Sequence, residues 1–465
     1  MYFKEDTICA IATAMIDAGI GIIRISGPSA IEQADKFYID AKGNHSLKNF
    51  DSHTIHYGFV CDENENKIDE VMISVMKAPR SYTKEDVVEI NSHGGRLIME
   101  TILKLLIKNG CRLAEPGEFT KRAFLNGRID LTRAEAVMDL IHSQNEFSMK
   151  NSELQLGGEL FKQIDELRKE ILYEMAFIES AIDDPENYDL TGFDENLSEK
   201  NNKWLAKINK LIKNSDEGII RKDGIKTVII GKPNAGKSSL LNMLAGEERA
   251  IVTDIEGTTR DIIEENIKLG DIVLHVIDTA GIRDTEDKIE QIGVEKAVKS
   301  ASTADLILYI IDSTDDELSD DERIKNIIHN NHVIVLLNKN DISDSISITE
   351  ESIHKMYGDE IEVIKTSMID RTGIEELEKI ISVMFLSGNI MPREEVYITN
   401  LRQKESLINA KTSLEKVSVS IEDGMSEDFY SIDLMNAYAF LGEIIGQEVD
   451  EDLIDEIFSK FCMGK

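Results

Sequence analysis

The chain has 465 residues, room for about three domains with cores of their own. Lysine and arginine total 52 against 88 aspartate and glutamate, a formal net charge of −36. That balance excludes a protein that coats nucleic acid through bulk charge, so any such contact needs a local basic patch or a partner that supplies one. The four cysteines, Cys9, Cys61, Cys111 and Cys462, are scattered and form no C-x-x-C pair. They read as reduced thiols of a soluble cytosolic protein rather than as zinc ligands. No apolar run approaches the roughly 18 residues a membrane helix needs. The start does not read as a signal peptide: Glu5 and Asp6 cancel Lys4, and Asp17 and Arg24 interrupt the apolar stretch after them.

Residues 1–118 carry short apolar runs separated by turns, at 19–25, 53–60, 70–76 and 87–90, with one helical stretch from Leu97 to Leu106. They predict a mixed α/β unit. Gly19 and Gly21 form a G-x-G without the immediate helix that a nucleotide turn needs. Arg24 lies inside an apolar strand, so it is either paired with a carboxylate or reserved for an anionic ligand. His93-Gly94-Gly95 reads as a structural turn, because no second histidine stands at metal spacing.

Leu160, Ile164, Leu167, Ile171, Met175, Ile178 and Ile182 step by three or four, the stripe of a long amphipathic helix that Pro185 ends. A second helix is predicted from about Glu199 to Lys213 around the single tryptophan, Trp204. Helical patterns return at Gln403–Val417, Ser431–Ile445 and Asp450–Phe461. These stripes read as helix-bundle core. The helices on either side are expected to pack as one domain, into which a compact α/β unit is inserted.

That inserted unit, residues 221–376, alternates apolar runs at 228–230, 273–277, 306–311, 333–337 and 361–364 with helical stretches, the pattern of a doubly wound, mostly parallel sheet. Gly231-Lys232-Pro233-Asn234-Ala235-Gly236-Lys237-Ser238 comes after the first run and opens a helical stretch, which is the context a G-x-x-x-x-G-K-S phosphate loop requires. Its backbone N–H groups would wrap phosphate oxygens at a helix start. Lys237 would reach the outer phosphates, and the Ser238 hydroxyl would lie on Mg²⁺.

Asp278-Thr279-Ala280-Gly281 comes after the second run: Asp278 is placed to hold Mg²⁺ through water, and the Gly281 N–H to sense the terminal phosphate. Asn338-Lys339-Asn340-Asp341 comes after the fourth, where Asp341 can accept from guanine N1–H and N2–H. Adenine lacks both donors and would leave the carboxylate unpaired, a discrimination on the order of 10⁴-fold in favour of GTP. Between the loop and Asp278 lies Gly257-Thr258-Thr259-Arg260-Asp261, with Thr259 as the candidate switch ligand to Mg²⁺. The position after D-x-x-G, where many signalling GTPases orient water with glutamine, is Ile282, which cannot polarise water. Glu286 and Glu290 lie nearby and read from the residues alone as solvated helix carboxylates. The acidic run from Asp312 to Asp321 reads as a solvated loop face.

Together these motifs resemble the tRNA modification GTPase family MnmE, also called TrmE. The resemblance spans essentially the whole chain: Gly21 to Gly27, Ser81-Tyr82-Thr83-Lys84-Glu85-Asp86, Pro116-Gly117-Glu118-Phe119, Arg122-Ala123-Phe124-Leu125-Asn126, the GTPase motifs, and the terminal Phe461-Cys462-Met463-Gly464-Lys465. The tail and the Pro-Gly-Glu-Phe stretch are more specific than the GTPase motifs. The resemblance implies an α/β and all-α multidomain chain: an α+β tetrahydrofolate-binding and dimerisation domain at 1–118, a helical domain at 119–220 and 377–465, and the GTPase domain at 221–376 inserted between its halves. It implies a homodimer that assembles with the flavoprotein MnmG into a heterotetramer or larger. The pair would add an aminomethyl or carboxymethylaminomethyl group to carbon 5 of the wobble uridine of certain tRNAs, with FAD on the partner only. A tetrahydrofolate derivative, 5-formyl- or 5,10-methylene-, would supply the carbon.

The folate positions implied are Arg24, Glu89, Arg128 and Lys465. The nucleotide positions implied are Asn234, Ala235, Gly236, Lys237, Ser238, Ser239, Thr253, Asp254, Ile255, Glu256, Gly257, Thr258, Thr259, Asp278, Thr279, Ala280, Gly281, Asn338, Lys339, Asp341 and Ser367. Ser238 and Thr259 would take Mg²⁺; Asn234, Thr253, Ile255 and Thr258 would take K⁺, which stimulates hydrolysis when two GTPase domains meet. Glu290 matches the family's catalytic glutamate. Two departures stand out: Met463 replaces the usual isoleucine of the tail, and Ser367-Met368 replaces the usual S-A of the guanine loop. Cys462 reads equally as a nucleophile and as a thiol without a catalytic role. The other functional class compatible with these motifs is a regulatory GTPase switch in ribosome assembly that keeps the N-terminal domain only for dimerisation.

Overall fold

The computed structural model describes residues 6–143, 145–184, 186–188, 191–244, 264–270, 272–277, 304–318, 322–342, 346–386 and 395–464. Two compact units emerge, the first from residues 1–138, 155–198 and 412–465, the second from 139–154 and 199–411.

The first unit is built on a seven-stranded sheet of described residues. Its strands are β1 (Ile8–Ile11), β2 (Ala18–Ser26), β3 (Tyr38–Asp40), β4 (Thr54–Cys61), β5 (Lys67–Met76), β6 (Val87–Gly94) and β7 (Arg112–Leu113). The order is β3-β4-β5-β6-β2-β1-β7, antiparallel except for the β1–β7 pair. Alternation sets the faces: Val71, Ile73 and Val75 of β5 are buried, while Met72 between them is half exposed. The buried face packs on α1 (Ala30–Asp35) and α2 (Arg96–Lys108), whose Met99, Ile102 and Leu106 step along one side. Gly21 belongs to this packing, because a Cβ there would stand 2.3 Å from the Met99 sulfur. The G-x-G is therefore a strand feature that lets a helix approach.

Helices α3 (Glu118–Leu125) and α4 (Leu131–Ile141) come next along the chain. The long α6 (Glu159–Asp183) packs with α13 (Glu427–Ile445), and α14 (Glu451–Ser459) packs with α3. Along α6 the predicted stripe is buried at Leu160, Ile164, Leu167, Ile171 and Ile178, but Glu174 is buried in place of Met175, and Ala181 in place of Ile182, which is 48% exposed. Arg168 aside, the buried positions alternate steps of four and three, whereas the expected stripe takes two steps of four in a row, from Leu167 to Ile171 to Met175, and so moves one residue off the buried side.

The second unit holds a six-stranded sheet of described residues: β8 (Ile225–Gly231), β9 (Glu264–Leu269), β10 (Ile272–Ile277), β11 (Leu306–Asp312), β12 (Val333–Asn338) and β13 (Glu362–Lys365). The order is β13-β12-β11-β8-β10-β9, parallel except for the β9–β10 hairpin. The sequence pattern does not announce β9, because among its described side chains only Ile267 and Leu269 alternate as buried positions. Successive side chains of β8 divide between two cores. Ile225 and Ile229 pack with α8 (Lys237–Leu244) and α11 (Ile374–Leu386); Val228 and Ile230 pack with α9 (Glu322–Asn330) and α10 (Glu350–Tyr357). Helices on both faces make the sheet doubly wound.

Helices α5 (Glu146–Gly157), α7 (Phe193–Asp223) and α12 (Leu401–Glu422) complete the chain. The α7 helix is longer than the predicted Glu199–Lys213 and runs almost directly into β8, with Trp204 buried on it. Within this second unit Asn151 clamps the backbone of Tyr397, accepting from its N–H at 2.8 Å and donating to its carbonyl at 3.0 Å.

Candidate functional sites

The phosphate loop leaves β8 at Gly231 and enters α8 at Lys237. Three of its residues sit at positive φ: Gly231 at 155°, Asn234 at 64° and Gly236 at 111°. Gly236 is obligatory for space as well, since a Cβ would lie 2.3 Å from Asn338 Nδ2. Asn234 is exposed, and asparagine tolerates the left-handed region better than most residues. Lys237 folds over the loop and donates to the carbonyls of Gly231 at 2.6 Å and Lys232 at 2.7 Å. Its burial pushes its pKa below the ordinary 10.5. No carboxylate pairs with it among the described residues. A desolvated ammonium held only by carbonyls fits an anion arriving at this loop. Ser238 and Ser239 are exposed at the helix start.

The base-side residues are assembled beside this loop by the parallel strands. Asn338 ends β12 and donates to the Ala235 carbonyl at 2.9 Å, while its Oδ1 is buried without a hydrogen-bond partner among the described residues. Lys339, at φ 65°, pairs with Asp312 at the end of β11. Burial raises the Asp312 carboxyl, but Lys339 and the Thr314 donors hold it below the ordinary 3.8. Asp312 is thus buried and paired, where the sequence suggested a solvated face. Asp315 of the same run pairs with Lys232 of the phosphate loop at 3.1 Å. The Asn340 N–H donates to the Thr366 carbonyl, which brings the Asp341 and Ser367 turns together. Asp341 is exposed, and Ser367 Oγ accepts from Asp370 N. Thr253, Asp254, Ile255, Glu256, Gly257, Thr258, Thr259, Asp278, Thr279, Ala280, Gly281, Glu286, Glu290 and Lys465 lie outside the described residues.

The second candidate site is in the first unit and is made by side chains from distant stretches. Arg24 on β2 and Glu89 on β6 are register partners, joined Nε to Oε1 at 2.8 Å. Arg24 Nη1 donates to the Gly464 carbonyl at 3.1 Å. The rings of Tyr82 and Phe119 each lie 5.6 Å from the Arg24 guanidinium, and Arg128 stands 4.8 Å from the same Tyr82 ring. Of the two roles open to a strand arginine, Arg24 therefore takes the carboxylate pair, flanked by aromatic walls.

The terminal motif is seated by backbone. Gly117, at φ 66°, donates its N–H to the Cys462 carbonyl at 3.3 Å, and a Cβ on it would fall 2.6 Å from the Phe458 carbonyl. Phe458 and Phe461 are buried with Leu131 and Ala134. The Pro-Gly-Glu-Phe stretch and the terminal motif are thus two sides of one junction. Behind it, Arg122 joins Asp6 at 2.6 Å, Glu85 at 3.1 Å and Glu118 at 3.1 Å. Sequence reasoning does not single out Tyr82 and Phe119; their only signal is an aromatic residue inside each specific stretch. Cys9, Cys61 and Cys111 are buried and Cys462 is exposed, and none of the four forms a disulfide. No group of metal-ligating side chains occurs among the described residues, and no described helix is long and apolar enough to cross a membrane.

A doubly wound sheet, a G-x-x-x-x-G-K-S loop at the carboxyl end of its central strand and an N-K-x-D turn beside it define a P-loop GTPase, here flanked by helical segments and preceded by an α+β sheet domain. Comparison with known proteins narrows the class. A family model described as the MnmE helical domain matches residues 131–462, and one described as the GTP-binding protein TrmE N-terminus matches residues 7–128. A tRNA modification GTPase MnmE of Lachnoclostridium phytofermentans is 53% identical over 462 residues, covering 99% of this chain and 100% of that one. Its counterpart in Acetivibrio thermocellus is 47% identical over 466 residues, 100% of each chain. The chain belongs to the tRNA modification GTPase family MnmE.

Proposed function

We propose that this chain is a cytoplasmic enzyme that hydrolyses GTP in the service of tRNA wobble uridine modification. It acts as a homodimer with an MnmG-type flavoprotein and adds an aminomethyl or carboxymethylaminomethyl group to carbon 5, with the carbon drawn from a tetrahydrofolate derivative. The parts are assigned as a folate-binding and dimerisation domain at 1–118, a GTPase domain at 221–376, and helical segments at 119–220 and 377–465. The observation that carries this reading is the phosphate loop at the end of β8, in a chain 53% identical over 99% of its length to a protein named as a tRNA modification GTPase.

On this reading Lys237 exchanges its two carbonyl partners for phosphate oxygens, and the N–H groups of Asn234 to Ser239 cradle the same oxygens. Bound Mg²⁺ and K⁺ would supply positive charge against the charge developing in the transition state. Ser238 and Thr259 would hold the first ion; Asn234, Thr253, Ile255 and Thr258 would hold the second. Asp341 would accept from the guanine edge, and the Ser367 N–H would face guanine O6. Glu290 would orient the attacking water, since Ile282 has no polar group to do so. In the first unit, Arg24, Arg128 and Lys465 would hold the glutamyl carboxylates or the polar edge of the folate, and Glu89 would accept from its pterin amino group.

GTP turnover by the purified chain tests the ion assignment. The rate should rise strongly in potassium over sodium, and Asn234→Ala should abolish the difference. Equal rates in both salts would remove Asn234 from the mechanism.

A further inference from the structure

Beside Arg128 the first unit carries an open cleft of about 430 Å³ lined by His53, Arg80, Tyr82, Lys84 and Arg128, among others. None of its lining residues is a carboxylate, in a chain where acids exceed bases by 36. Neither Arg80 nor Arg128 has a carboxylate partner among the described residues. By contrast Arg24, Arg96, Arg112, Arg122 and Arg168 each pair with one. Guanidinium groups left unpaired in so acidic a chain are available to an anion from outside.

The cleft wall is also fixed. Lys84 adopts φ 59° and donates to the carbonyls of Asn126 and Gly127, each at 3.0 Å, which leaves one of its three N–H donors. Asn126 Nδ2 donates back to the Thr83 carbonyl at 2.6 Å. These bonds staple the Ser81–Asp86 loop to the turn that presents Arg128. Tyr82 ties the cleft to the Arg24–Glu89 pair, because its ring meets the guanidinium groups of both Arg24 and Arg128.

We propose that this cleft binds the poly-γ-glutamyl tail of the one-carbon carrier, with Arg80, Lys84 and Arg128 meeting successive carboxylates. The proposal rests on the folate reading of Arg24 and Glu89 and deepens it: the ring end lies at that pair, and the conjugated tail runs past Tyr82. A concave cluster suits a short flexible chain of carboxylates better than a nucleic-acid backbone, which needs cations spread along a track.

The test is calorimetric titration of the full chain with 5-formyl-tetrahydrofolate as the monoglutamate and as the pentaglutamate. The pentaglutamate should bind about tenfold more tightly, as one or two added charge-assisted hydrogen bonds would give. Arg80→Gln should bring the ratio of the two affinities close to one, Arg80→Lys should keep part of it, and high salt should compress it. Arg80 is exposed, so the exchange does not touch the core. Equal affinities in the unaltered chain would overturn the proposal. So would a ratio unmoved by Arg80→Gln while binding of a short RNA oligonucleotide falls, which would assign the cleft to nucleic acid. Failure of the monoglutamate itself to bind would instead remove the folate reading, and this proposal with it.

Discussion

The phosphate loop and the Arg24 cluster are built by opposite means. The loop uses the backbone of eight consecutive residues, with three positive φ angles and one half-buried lysine resting on its own carbonyls. The Arg24 site uses side chains of residues 24, 82, 89, 119 and 128 and the carbonyl of residue 464. A local site is complete wherever its strand and helix form. A site gathered from distant parts of the chain exists only while the tail stays seated. Backbone geometry therefore governs the first, and long-range packing governs the second.

The largest effect should fall on the local site. Lys237→Ala removes the half-buried cation of the loop, and kcat/KM for GTP should drop on the order of 10³-fold, measured by phosphate release. The first unit should keep its thermal stability, because nothing in it depends on this residue. An unaltered rate would show that the loop works without its cation.

The next effect sharpens the other side. Arg122→Met strips a buried guanidinium from Asp6, Glu85 and Glu118 and should destabilise the first unit by about 3 kcal/mol, read by denaturant unfolding. It should also move acid unfolding. Burial raises the Asp6 and Glu118 carboxyls, but Arg112 and Arg122 bring both below their ordinary 3.8 and 4.5. Their contribution is present above those ordinary values and is lost as pH falls through the lower folded ones. Without Arg122 the folded values rise, so unfolding should begin at higher pH. An unmoved acid transition would contradict the network's role.

A smaller effect separates the two regions most cleanly. Gly117→Ala puts a Cβ against the Phe458 carbonyl at a left-handed position and should cost about 2 kcal/mol. It should loosen the tail and weaken tetrahydrofolate binding while GTP turnover persists. Equal losses at both sites would mean that the tail serves the whole chain rather than one pocket.

The same contrast explains what is legible in the sequence. The phosphate loop is readable because its strand, turn and helix are contiguous, and β8, β10, β11, β12 and β13 lie on apolar runs. The strand β9 is not, because among its described side chains only Ile267 and Leu269 are buried. Asp312 looks solvated within a run of acids; its partner Lys339 arrives from the neighbouring parallel strand, which no sequence window contains. Arg24 shows its importance by being charged within an apolar strand. Its carboxylate lies 65 positions away and its carbonyl partner 440 away, so only the fold, or resemblance to a family, could supply them.

The most direct test is mass-spectrometric analysis of wobble nucleosides in tRNA from cells lacking this chain, complemented with the unaltered chain, Lys237→Ala or Arg24→Gln. The account predicts that only the unaltered chain restores the carbon-5 substituent, because the GTP site and the one-carbon site are both required. Full restoration by either variant would contradict it.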